Sequence, residues 1–252
     1  MSAVGIVPAR FASRRFPGKA LTLIAGLSML QRVWEGARTA KQLRELIVAT
    51  DDARIAAACA EFGAPVVMTS PAHATGTDRV AEAARDLTDE IVVNVQGDEP
   101  LIEGFVIDAV VEALLQDPDA PMSTVAHAPE PGADADPNRV CVECDAHGFA
   151  LSFSRAPAVS GAGAAARWQH AGLYAYRRSF LRRFTTLEPT DGERAEGLEQ
   201  LRALEHGYPI RVAVVEGWAS APVDVPEDVA RVEERIASRD RHGDRQVERN
   251  RR

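Results

Sequence analysis

Residues 3–19 read AVGIVPARFASRRFPGK, a short apolar run followed by a loop that sets Arg10, Arg14, Arg15 and Lys19 among proline and glycine. An apolar run of this length, closed by turn residues, reads as a buried strand. The pairing of β-like run and amphipathic helix then recurs. LIVAT (46–50), PVVM (65–68) and EIVVNV (90–95) alternate with helical patterns at 29–41, 53–62 and 78–87, and Gly26, Gly63 and Pro65 punctuate the joins. Such alternation predicts right-handed βαβ crossovers, an α/β fold and a mostly parallel central sheet. In an open sheet of this kind a ligand lies beyond the carboxyl ends of the strands. The basic loop after the first strand, TDD (50–52) and QGDEP (96–100) should therefore lie side by side.

From about residue 120 the strand-like runs come closer together: PMSTVAHA (121–128), RVCVEC (139–144), FALSFSR (149–155) and AGLYAYR (171–177). They predict an antiparallel insertion. A helix over 193–206, a strand at IRVAVV (210–215) and a helix from Pro226 to about Ser238 complete a single domain over 1–238, with halves at about 1–120 and 121–238. Residues 239–252, nearly all polar or charged, read as a disordered tail.

The chain has 252 residues, 46% of them apolar, and a net charge of -8. That balance argues against a nucleic-acid or membrane-surface binder, which needs a broad positive field. The basic loop would then serve one small anion. The cysteines, Cys59, Cys141 and Cys144, are too few and too odd in number for a disulfide framework, which suits a reducing compartment. CVEC has no second ligand pair at zinc-site spacing, and on a strand its two cysteines face opposite ways. With no apolar stretch long enough to span a membrane and no secretory leader, a cytoplasmic location is expected.

Several groups could carry chemistry. In QGDEP, Asp98 and Glu99 stand at the end of a strand, where carboxylates can hold a hard cation such as Mg2+. In PVDVPED, Glu227 and Asp228 suit a helix start, whereas Asp224 sits too early for that. Thr75 and Asp78 have capping-box spacing, and Gly76 beside them could let a helix N-terminus receive a phosphate. His170 and Tyr174 are four apart on one strand face with Gly172 between them, while Glu196, Glu199 and Gln200 share one face of the expected 193–206 helix. Dinucleotide, P-loop and serine-hydrolase signatures are all missing.

Taken in order, PARFASRRFPGK, TDD, HATGTDR, NVQGDEP, FSR, HAGLYAYR, EGLEQLR and VDVPED resemble the cytidylyltransferases that make CMP-KDO, the activated form of 3-deoxy-D-manno-octulosonate (KDO). The likeness runs from about residue 2 to 236. It implies a Rossmann-like nucleotidyltransferase fold whose insertion forms the acceptor and dimer region, Mg2+ dependence, CTP as donor, an acidic acceptor and a homodimer. By the same resemblance Arg10 and Lys19 would hold the CTP phosphates with help from Arg15. Pro8, Ala9, Thr75, Gly76, Arg79 and Gln96 would line the nucleotide site. Asp98 and Asp224 would bind Mg2+, and Arg155, His170, Tyr174, Glu199 and Gln200 would contact the acceptor; Arg14 is left as a solvated cation.

The sequence departs from that pattern on the acceptor side. The loop APAVSGAGAAARWQ (156–169) replaces an aromatic residue and an Arg-Asp pair with glycine and alanine, and TDGE (190–193) stands where PLE is usual. Val225 replaces a threonine, removing an expected helix cap. These changes open a second reading, a relative that cytidylylates another acid such as phosphonoformate. A third is a silent sugar-nucleotide sensor, against which the retained Arg10, Lys19, Asp98 and Asp224 speak.

Overall fold

β1 (Ala3–Ala9) is the axis of the molecule, hydrogen-bonded on both sides to parallel neighbours, and the rest of the fold is laid out from it. The computed structural model describes residues 1–12, 15–129, 139–155 and 166–250. Arg14 and most of the 156–169 loop, both singled out from the sequence, lie outside the described residues. After β1 and a 3-10 turn at Lys19–Leu21 come β2 (Leu23–Ile24), β3 (Leu27–Ser28), α1 (Met29–Ala37), β4 (Leu43–Thr50), α2 (Ala53–Glu61), β5 (Val66–Met68), α3 (Gly76–Ala83) and β6 (Ile91–Asn94). The second half contributes α4 (Gly104–Gln116), β7 (Met122–His127), β8 (Cys141–Cys144), β9 (Ala150–Ser154), β10 (Ala166–Arg177) and α5 (Arg178–Phe184). α6 (Asp191–Glu196), α7 (Gln200–Glu205), β11 (Ile210–Val215) and α8 (Asp228–Asn250) follow.

The main sheet runs β11-β7-β10-β6-β1-β4-β5, and only β10 is antiparallel to its neighbours along that path. β8 and β9 form an antiparallel extension on the first half of β10. Period-two alternation in β1 divides the core. Val4 and Ile6 join a cluster with Val80, Phe184 and Leu201 on one face. Ala3, Val7 and Ala9 join another with Leu30, Ile55 and Val110 on the opposite face. Side-chain caps start the first three helices: Ser28 for α1, Asp52 for α2 and a Thr75–Asp78 capping box for α3.

The architecture departs from the sequence reading in four places. β7 and β11 are parallel members of the main sheet, so only β8, β9 and β10 make the antiparallel part. α4 occupies a stretch the sequence reading leaves unassigned, because it is apolar around most of its circumference and shows little helical contrast. The expected 193–206 helix is two, broken at Gly197, which adopts φ 62° and ψ 37°. Only glycine takes that left-handed conformation without steric cost, so the helix stops there. The last helix begins at Asp228 rather than Pro226 and continues to Asn250, through residues read as a disordered tail. Arginine and glutamate propagate a helix well once its first turns are packed, here by Val229, Val232 and Ile236.

Gly97 lies in the turn after β6 without a left-handed backbone, and what requires glycine there is close approach. A Cβ at this position would lie 2.9 Å from the Pro8 carbonyl oxygen. The QGDEP turn therefore touches the end of β1 only while residue 97 lacks a side chain. Gly97→Ala should lower stability by ~1–3 kcal/mol in urea denaturation, the usual range for overpacking a tight contact; unchanged stability would show that the two loops can part freely.

Candidate active site

Lys19 joins three segments that are remote in sequence. Its Nζ donates to Asp98 Oδ2 at 3.0 Å and to the Val223 carbonyl oxygen at 2.8 Å, and lies 3.6 Å from Asp224 Oδ1. Arg15 approaches from outside and donates to Asp224 Oδ1 at 2.8 Å. Two carboxylates are thus held around one ammonium position. The strand ends deliver these groups: Gly18 N donates to Phe11 O and closes the basic loop, and Val223 N donates to Asp98 O and brings Asp224 alongside.

A buried latch fixes that last approach. Glu99 accepts from the Ser220 hydroxyl and from Ala221 N, and Trp218 Nε1 donates to the Leu101 carbonyl. Burial raises the Glu99 carboxyl to about 7 despite those hydrogen bonds. Asp228 secures the other flank by accepting from Asp224 N and Val225 N. Burial opposes its ionisation, yet the donated N–H groups and Arg231 hold the Asp228 carboxyl below its usual range. The helix cap expected at position 225 is therefore replaced by a carboxylate reaching back from the first helical residue.

On one side of this seam lies a cavity of about 500 Å³ at the carboxyl ends of β1 and β6, within the size range of small-molecule sites. Pro8, Ala9, Arg10, Arg15 and Lys19 line it from the first loop; Thr75, Gly76 and Arg79 line it from the start of α3. Gln96, Asp98 and Asp224 complete the wall. Arg10 is exposed at the end of β1. Arg79 is instead buried, donating to Thr69 Oγ1 and lying 3.2 Å from Asp51, so it ties α3 to the TDD turn. The α3 amino end that the sequence marked as a phosphate receiver does open on this cavity.

On the other side lies a second cavity, about 460 Å³, lined by Arg155, His170, Tyr174, Glu199 and Gln200 together with Arg139 and Arg231. It shares Arg15, Gln96, Asp98 and Asp224 with the first. His170 and Tyr174 face it through a device invisible in the sequence. On a regular strand, residues four apart stand roughly 13 Å from each other. Here Ala171 pairs with Val125 and Tyr174 pairs with Thr124, so Gly172 and Leu173 bulge out of register. Because two residues are extruded, the face is preserved, and the rings approach to 5.7 Å between centroids. The bulge thus sets the two polar rings side by side at the cavity wall.

The helix break also rearranges the acidic set. Glu196 is exposed, and its carbonyl accepts from Arg155; Glu199 and Gln200 open α7 and turn inward. Glu199 accepts from Thr77 Oγ1 at 2.6 Å, and Gln200 Oε1 accepts from Tyr174 at 3.0 Å. Gln200 Nε2 is buried and has no partner among the described residues, so a donor stands ready at the cavity wall. Burial pushes the buried titratable groups here toward neutrality: the Tyr174 hydroxyl and the Glu199 carboxyl go up, while His170 falls from 6.5 to about 3. Sequence reasoning assigned no role to Arg139 or Arg231, and it left Glu99 at a strand edge when the residue is in fact the centre of the latch.

Asp98 and Asp224 are a sparse all-oxygen pair, the donor set that suits Mg2+, which keeps water and phosphate oxygens as its remaining ligands. Among the described residues no group of three or more His, Cys, Asp or Glu gathers as a metal site, and Cys59, Cys141 and Cys144 are free thiols. No helix among the described residues is long and apolar enough to cross a membrane.

The family profile described as Cytidylyltransferase matches residues 4–212. The chain is 47% identical over 246 residues to the 3-deoxy-manno-octulosonate cytidylyltransferase of Syntrophotalea carbinolica, covering 92% of this chain and 98% of that protein. The protein of the same name from Syntrophobacter fumaroxidans is 51% identical over 240 residues, covering 92% and 96%. A solved structure of CMP:2-keto-3-deoxy-manno-octonic acid synthetase complexed with CTP superposes at a TM-score of 0.87 with 38% identity, covering 95% of this chain and all of that one.

The buried imidazole makes stability depend on pH. Unfolded chains take up a proton on His170 below about pH 6.5, whereas the folded protein refuses it until about 3, so the contribution of this group to stability falls as pH drops through that window, by up to ~1.4 kcal/mol per pH unit. Glu99, raised to about 7, acts in the opposite sense over the same range, so His170→Gln should raise stability at pH 4 relative to pH 6.5 when compared with the wild type; an unchanged profile in urea denaturation would assign the proton uptake to another group.

Proposed function

The chain belongs to the 3-deoxy-manno-octulosonate cytidylyltransferase family, and we propose that it transfers CMP from CTP to KDO, releasing pyrophosphate. One observation carries this reading to the residues: two cavities of similar size meet along a wall formed by Arg15, Gln96, Asp98 and Asp224. CTP occupies the side lined by Arg10 and the α3 amino end, and the sugar acid occupies the side lined by His170 and Gln200. The α-phosphate then sits at the seam, where an acceptor hydroxyl attacks in line and pyrophosphate leaves from the opposite face.

The protein's work is positioning and charge. Arg10 and Lys19 stabilise the triphosphate and the charge that grows on the leaving group, and Arg15 bridges both sides. Asp98 and Asp224 hold Mg2+, which when bound supplies charge neutralisation at the phosphates. On the acceptor side the arginines Arg139 and Arg155 suit a carboxylate, while Tyr174, Glu199 and Gln200 suit hydroxyl groups. A phosphonate offers little for that second set, and the relatives at 47% and 51% identity are named for the octulosonate. Phosphonoformate is accordingly not favoured.

Two coarser expectations belong to the same proposal. Free thiols fit a reducing cytoplasm. Leu151 and Val214, exposed on neighbouring β9 and β11, fit a homodimer contact.

The test is pyrophosphate release with CTP, Mg2+ and either KDO or phosphonoformate. Release is expected with KDO alone; release with neither acid would end the reading. Asp98→Asn should keep the fold and lower kcat by at least ~100-fold, the scale of losing a group that acts on transition-state charge. Wild-type turnover in that variant would remove Asp98 from the chemistry.

A further inference from the structure

An imidazole on the wall of the acceptor cavity can give a hydrogen bond or take one, according to which nitrogen bears the proton. At His170 a neighbour decides. Thr124, fully buried on β7 opposite the β10 bulge, places its Oγ1 2.8 Å from His170 Nε2 and 2.8 Å from the Leu173 carbonyl oxygen. The Ala171 carbonyl is more distant, at 3.4 Å. A threonine hydroxyl has one proton and two lone pairs, and a carbonyl can only accept. The proton therefore points to Leu173; otherwise two oxygens would face each other at hydrogen-bond distance with nothing between them. Only lone pairs remain for His170, so Nε2 must be the donor.

Burial excludes a second proton on the ring, which leaves Nδ1 bare. Nδ1 makes no hydrogen bond among the described residues, and the ring lines the cavity. Phe153 packs against the ring at 5.0 Å between centroids and Tyr174 at 5.7 Å, which restricts its rotation.

We propose that Thr124 is a positioning residue for acceptor selection: its hydroxyl holds His170 in the Nε2–H tautomer, so that Nδ1 takes a hydrogen bond from a hydroxyl group of the sugar acid. The role rests on reading this cavity as the acceptor site. It also sorts ligand chemistry. A carboxylate or phosphonate oxygen set against Nδ1 would bring lone pair against lone pair, so the acid group is driven toward Arg139 and Arg155 and a hydroxyl is required at His170. An acid without hydroxyl groups fails that requirement, whatever its charge.

The tautomer can be read directly by long-range proton–nitrogen correlation on protein labelled with nitrogen-15 histidine, with His170→Gln identifying the signals. Wild type and Thr124→Ser should both show a protonated Nε2 and a bare Nδ1. Thr124→Val removes the oxygen, so the Nδ1–H form should appear, and the KM for KDO should rise about tenfold while the KM for CTP stays within about twofold. An Nδ1–H signal in the wild type would overturn the proposal, as would wild-type tautomer and KM in Thr124→Val. If the valine variant does not fold, because Leu173 depends on the same hydroxyl, the wild-type and serine spectra still decide. Should the tautomer stand while CTP and KDO release no pyrophosphate, the acceptor reading is what fails, and the role given to Nδ1 falls with it.

Discussion

The Lys19 ammonium is the interaction on which the site depends. Asp98 and Asp224 arrive from different parts of the chain, and two carboxylates brought this close repel unless a cation lies between them. Lys19 supplies that cation and also binds the Val223 backbone, so one side chain fixes the spacing of the pair, and Arg15 on Asp224 brings the second positive charge. The basic loop therefore does more than present cations. It is the third wall of a seam whose other walls are the QGDEP turn and the segment leading into α8.

Charge is distributed in two distinct ways around that seam. At the first cavity, Arg10 and Arg15 are exposed and Lys19 is partly buried. At the second, burial moves His170, Tyr174 and Glu199 each toward its neutral form, which converts ionisable side chains into directional hydrogen-bonding groups. Arg139, Arg155 and Arg231 line the same cavity. A net charge of -8 over the whole chain coexists with both arrangements, since each acts over a few ångströms on one small anion.

Much of this was legible in the residues. The strand ends after AVGIVPA, LIVAT and EIVVN carried the loops to one edge, and the Thr75–Asp78 cap followed from spacing alone, because those signals are local. His170 with Tyr174 and Glu199 with Gln200 were singled out by spacing, Arg155 and the acceptor role came from family likeness, and the juxtaposition of all five depended on features without a local signature. The two-residue bulge at Gly172–Leu173 looks like uninterrupted strand, and Gly197 sits in an otherwise helical pattern. α4, rich in valine and leucine and apolar on most sides, hides its period. Glu99, read as a strand-edge carboxylate, is a latch only because Ser220 and Ala221 come back to it through tertiary packing.

That return of the chain has a consequence for the order of assembly. Lys19 meets Asp98 across 79 positions and Val223 across 204, and Glu99 meets Ala221 across 122. Loop closure over such separations is entropically costly and comes late compared with local helix and strand formation. During synthesis from the amino end, β1, β4 and β6 can be paired well before residues 218–224 exist. The two carboxylates of the seam are then the last of its parts to be set side by side, so a nascent sheet holds the basic loop before the seam that loop closes exists.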